Sequence, residues 1–122
     1  MSRKTTYDGA DDRGSSAVEF ALVVPLLVTL IVGMIQFGVV YNAYLGVTHA
    51  AREGARMAAV GQYTVAAVKA ASPQLDPAKV QISESEASGY CQVVVTYPYK
   101  LEIPFVPAQS LSLTSTARMR KE

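Results

Sequence analysis

Hydrophobic and polar positions divide the chain into a polar start, one long apolar run and a mixed remainder. Phe20 to Val40 holds 16 hydrophobic residues in 21 positions, and no Asp, Glu, Lys or Arg occurs from Phe20 to Ala51. A helix needs about 20 apolar residues to cross a bilayer core of roughly 30 Å. The run therefore predicts a transmembrane helix. Tyr41 and Tyr44 stand at its far edge, where amphipathic rings favour the membrane interface. Pro25 removes one helical hydrogen bond and predicts a kink. Thr29, Gly33, Gln36 and Gly38 are too few and too mild to prevent insertion. The alternatives are a buried core helix or a cleaved secretory signal. The run is long for a buried helix in so small a protein, and it exceeds the roughly 7–15 apolar residues of a signal peptide.

The helical pattern continues from Tyr41 to about Val60. Ala50, Gly54 and Ala58 recur every four residues, as do Ala51, Ala55 and Ala59. Two adjacent rows of small residues let another helix approach closely. High helix propensity explains the same alanines without any partner. Arg52 and Arg56 lie one turn apart on a different face, with Glu53 in ion-pair reach of Arg56; a solvated face is the plainer reading. His49, the one histidine, has no Cys near it in the sequence and reads as a helix-surface or interfacial residue. Gly61 is a natural helix stop.

The remaining residues, 61–122, predict a small head able to bury a modest core. Thr64–Ser72 reads as a short helix ended by Pro73, and Asp76-Pro77 as a turn. Val80-Gln81-Ile82 reads as a short strand closed by the polar run Ser83–Gly89. Cys91, Val93, Val95, Tyr97 and Tyr99 alternate with Gln92, Val94, Thr96 and Pro98, which is the clearest strand signal. Pro98 cannot donate to a ladder, so this strand is expected at a sheet edge or ending there. Leu111, Leu113, Ser115, Ala117 and Met119 predict a final strand. The fold class is thus α+β: a long N-terminal transmembrane helix continuing outside the membrane, then a head with a short helix and about three antiparallel strands. Strand order is left open. Cys91 reads as a small hydrophobe within its strand, with an intermolecular disulfide as the alternative.

Before the apolar run, Met1–Gly14 balances Arg3, Lys4 and Arg13 against Asp8, Asp11 and Asp12. It has no apolar periodicity and is expected to be disordered. Three Lys/Arg precede the run, and Arg52 and Arg56 follow it, which favours a cytoplasmic N-terminus. Glu19 stands alone at the mouth of the run. One reading makes Ser16 an N-cap and Glu19 its capping-box partner.

The other reading rests on spacing. Gly14, four further residues, Glu19 and then an apolar run resemble the processing site of type IV prepilins. That resemblance implies cleavage between Gly14 and Ser15 by a membrane prepilin peptidase. Residues 1–14 would then be a leader and 15–60 a pilin-like helix. A glycine suits a protease cleft because its backbone lacks Cβ. Glu19 would pair with the free α-amine of a neighbouring subunit and, with Phe20, set subunit register. The capping and register roles are compatible.

The likeness extends through Ala17-Val18-Glu19-Phe20-Ala21-Leu22, Pro25-Leu26-Leu27 and Ala50-Ala51-Arg52-Glu53-Gly54-Ala55-Arg56. With these segments the chain resembles the TadE-like family, pseudopilins or minor pilins of the tight-adherence (Flp) pilus machinery. The resemblance implies a single-pass bacterial inner-membrane protein with its head outside the cytoplasm. It also implies other pilins or pseudopilins and an inner-membrane assembly platform as partners. It gives the small positions Ala50, Ala51, Gly54, Ala55 and Ala58 a role in helix packing, and Arg52, Glu53 and Arg56 a place in a family-like charged motif. The near-neutral residues 1–14 depart from a basic prepilin leader. The competing reading is a permanently anchored accessory protein whose head binds a secretion or envelope partner.

Composition narrows the rest. Eleven basic and ten acidic residues leave a formal charge of +1, so nothing marks a nucleic-acid surface. One cysteine and one histidine provide no clustered metal ligands. Ser83, Ser85 and Ser88 lie among Glu84 and Glu86 with no base beside them. No enzyme, cofactor or small-molecule substrate is expected.

Overall fold

The computed structural model describes residues 8–122. Helix α1 spans Asp8–Ala59, 52 residues, or about 78 Å at 1.5 Å per residue. It continues through Pro25, and Thr29 Oγ1 donates to the Pro25 carbonyl at 2.8 Å. Disorder over residues 8–14 is therefore corrected to helix. Extending an existing helix requires only propagation, since the apolar run has already met the nucleation cost. Asp12 in the second turn also complements the positive end of the helix dipole. The expectation for Met1–Tyr7 lies outside the described residues.

Gln62 N donates to the Met57 carbonyl at 2.8 Å as α1 ends, and Gly61 adopts φ +73° there. Helix α2, Val65–Ala70, is capped by Thr64, whose Oγ1 accepts from Ala67 N at 3.2 Å. The turn after it is tied to α1 by Ser72, a buried serine whose Oγ donates to the Gly46 carbonyl at 2.9 Å. Asp76 closes the expected turn, with Oδ1 accepting from Ala78 N at 3.0 Å.

Strands β1 (Gln81–Ala87), β2 (Tyr90–Leu101) and β3 (Gln109–Arg120) form an antiparallel meander in the order β1-β2-β3. The polar run does not close β1; it forms most of it. Every β1 residue except Ile82 is exposed, so the strand is held by its backbone ladder to β2 and needs no apolar alternation. Ser88 and Gly89 then turn the chain with φ +54° and +76°, as two-residue hairpins require.

β2 is the central strand, which corrects the expectation from Pro98. Its pairing with β1 stops at Gln81↔Thr96, whereas pairing with β3 runs on through Pro98↔Ser112 to Leu101↔Gln109. Beyond Thr96 the strand has a neighbour on one side only. The proline thus sits where β2 has become a local edge.

The core lies between one face of β2, the short helix and the C-terminal part of α1. Val47, Ala51, Ala55, Val68, Val93 and Val95 are fully buried in it. Cys91 is buried with them as a free thiol, the small hydrophobe expected from its strand pattern.

Candidate assembly helix and processing segment

Helix α1 has two unlike parts. Its C-terminal part is covered by the head. Its N-terminal part exposes large apolar side chains along its length, including Phe20, Leu22, Leu26 and Met34. Among the described residues this is one helix long and apolar enough to cross a membrane.

Gly14 and Ser15 lie inside α1, in its second turn counted from Asp8. Apart from its chain neighbours and the local helix backbone, nothing lies within 4 Å of the place a Gly14 Cβ would occupy, so that side of the helix is open to approach. A helical peptide bond cannot lie extended in a protease cleft, so cleavage here would require the first turns to unwind. Glycine lowers helix stability by about 1 kcal/mol relative to alanine, which favours that opening.

The structure corrects the Ser16 cap. With α1 starting at Asp8, Ser16 is an interior helical residue, and its Oγ donates back to the Asp12 carbonyl at 2.9 Å. Glu19 is therefore not a capping-box partner. It is exposed, and its carboxylate makes no hydrogen bond or ion pair among the described residues. Phe20 beside it is 68% exposed. Both are displayed at the entry to the apolar run.

The small residues do permit a close approach, made with the chain's own head. Ala50, Ala51, Ala55 and Ala58 are buried against it. A Cβ added at Gly54 would lie 3.0 Å from Val93 Cγ1 and 3.2 Å from Val68 Cγ2. The rows extend N-terminally beyond Ala50 and Ala51. Gly46 continues one and is crossed by Gln74; Ala43 and Val47 continue the other, both buried. The same four-residue spacing would have revealed these positions. In this conformation the rows are occupied by the head, and the apolar N-terminal part of the helix is left free.

Arg52 and His49 are exposed. Glu53 and Arg56 form an ion pair, with Arg56 Nε donating to Glu53 Oε2 at 3.1 Å. The hydrogen bond and charge of Arg56 hold the Glu53 carboxyl below its ordinary range and raise the guanidinium in turn. Sequence reasoning missed the role of Gln36. Its Nε2 donates to the Glu102 carbonyl at 3.0 Å, and its Oε1 accepts from Tyr99 O–H at 3.2 Å. One amide within an apolar run was the available signal.

A family model described as TadE-like protein matches residues 14–56. This is about a third of the chain, covering Gly14 to Glu19, the apolar run and the small-residue rows as far as Ala55. Neither a curated protein nor a solved structure matches the chain. The TadE-like match associates the protein with the Tad pilus, and the apolar helix and the match together support membrane association.

Proposed function

We propose, from the premise that residues 14–56 form a TadE-like segment, that the protein is a pseudopilin or minor pilin needed to assemble a tight-adherence pilus. It is held in the bacterial inner membrane by α1, with its N-terminus in the cytoplasm and its head outside. A prepilin peptidase cuts it between Gly14 and Ser15. Glu19 then pairs with the α-amine of a neighbouring subunit, which sets register, while Phe20 and the exposed apolar part of α1 pack among other pilin helices. A carboxylate costs up to roughly 2.5–3.5 kcal/mol at the bilayer centre and less towards the boundary where Glu19 lies, so an ammonium partner would favour drawing it inward. Arg52, Glu53 and Arg56 offer a charged face to the assembly platform or to adjacent subunits.

The observation that carries this reading is a family match beginning at Gly14, with Glu19 five residues on and exposed at the mouth of the apolar run. The test is mass spectrometry of the protein made together with its own peptidase, paired with a pilus-assembly assay. Cleavage after Gly14, abolished by Gly14→Ala, and loss of pili with Glu19→Ala are expected. An intact N-terminus and normal pili with Glu19→Ala would instead indicate a permanently anchored accessory protein.

A further inference from the structure

The loop from β2 to β3 reads Glu102-Ile103-Pro104-Phe105-Val106-Pro107-Ala108 and bends back onto the apolar run of α1. Ile103 and Val106 line a shallow groove with Leu30, Met34 and Phe37. All three helix residues lie inside the charge-free stretch. Phe105, between them in the loop, is 86% exposed with φ +65°.

We infer that the apolar side chains of Ile103–Val106 insert at the headgroup–acyl boundary of the head-side leaflet, as a second membrane contact beside the spanning helix. Three features place lipid there. First, the exposed apolar surface of the span, with Met34 and Phe37, runs into Phe105, Val106 and Leu111, all exposed. Lipid that surrounds the span meets the loop as the same surface.

Second, the loop has few backbone donors to satisfy, so its apolar side chains can reach the acyl chains while the open backbone groups, such as Phe105 N–H, stay at the headgroup level, since unsatisfied polar groups are expelled from hydrocarbon. Pro104 and Pro107 carry no N–H. Val106 N donates to the Ile103 carbonyl at 3.2 Å, and the Glu102 carbonyl is taken by Gln36. Gln36, a polar group in the span, is in turn satisfied on both sides of its amide by the hairpin.

Third, the charges stand where the water boundary belongs. Lys100 and Glu102 form an exposed ion pair at 3.2 Å, with the Glu102 backbone at the level of Gln36. From Glu19 to Gln36 the helix is about 25 Å long, within a few ångströms of a hydrocarbon core. The groove that the loop shares with α1 reaches from near that level to Leu30, about 9 Å deeper. That is the depth at which interfacial apolar segments reside. The insertion would hold the head at a fixed height and tilt on its span.

This inference rests on the span being in a bilayer and not on the pilus role. The chain has no tryptophan, so single reporters can be introduced as Phe105→Trp, Leu27→Trp and Glu84→Trp. Each full chain is reconstituted in phosphatidylcholine–phosphatidylglycerol vesicles with brominated acyl chains. At position 105 we expect blue-shifted emission quenched by bromine, with an iodide quenching constant about fivefold smaller than at position 84, because the ring sits below the headgroups. Iodide quenching at 105 equal to that at 84, with position 27 still bromine-quenched, overturns the loop insertion and leaves the span intact. Water exposure at both 105 and 27 overturns the insertion together with the span.

Discussion

Gly54→Ala tests whether the small-residue rows serve the head. The substitution removes the helix-interior penalty of glycine, worth about 1 kcal/mol. Against this, the new methyl would meet Val93 Cγ1 at 3.0 Å and Val68 at 3.2 and 3.4 Å, where carbon atoms prefer about 3.5–4.0 Å. Both valines are fully buried and stiff at χ1, so neither can swing clear. Overpacking of this kind costs roughly 1–3 kcal/mol, and the net effect is destabilisation by up to about 2 kcal/mol. Val93→Ala removes the closest obstruction. In that background Gly54→Ala should stabilise by up to about 1 kcal/mol, a reversal of sign with a coupling of about 1–3 kcal/mol. The assay is urea unfolding of the four chains in one detergent, followed by circular dichroism with m-values compared. Equal stabilisation by Gly54→Ala in both backgrounds would refute the packing of β2 on α1 at this point.

Three further outcomes are expected. Gln36→Leu deprives Tyr99 O–H and the Glu102 carbonyl of their partner and should weaken closure of the hairpin on α1 by about 1–3 kcal/mol; hydrogen exchange of residues 101–108 should accelerate, and unchanged protection would count against the clasp. The Glu53 carboxyl is held below its ordinary value by Arg56. Its contribution is therefore present above that ordinary value and is lost as pH falls through the lower, folded one; Glu53→Gln should flatten this part of the acid unfolding curve, and an unaltered curve would contradict the assignment. Gly61→Ala forces a side chain onto φ +73° and should destabilise by about 1 kcal/mol or more, read as a lower urea midpoint; a higher midpoint would show that the helix end relaxes.

Much of this protein was legible as sequence because its strongest signals are local. A charge-free apolar run and rows of small residues are properties of contiguous helix positions. The β2 alternation likewise places Cys91, Val93 and Val95 on one face, the face that the structure buries. The failures have a common cause. β1 lacks an apolar face because hydrogen bonds to β2 hold it, and that ladder pairs residues from separate segments. Pro98 pointed to an edge, yet whether a residue is at an edge depends on where the neighbouring strand stops. The Ser16 cap failed because a helix boundary depends on the turns before it, and these continued from the apolar run despite their polarity.

By itself, the chain determined that one helix would be long and apolar, that a short helix and three strands would follow, and that Gly14 and Glu19 would stand before the run. These follow from hydrophobic spacing and backbone preference within single segments. Only the tertiary structure decided what the small residues touch, because Gly54 and Ala55 suit another protein's helix and the chain's own sheet equally well. It also decided that the β2–β3 loop returns to Gln36, more than sixty residues away in sequence. No local pattern encodes that meeting; it arises from the length of the hairpin and the line along which the sheet packs on α1.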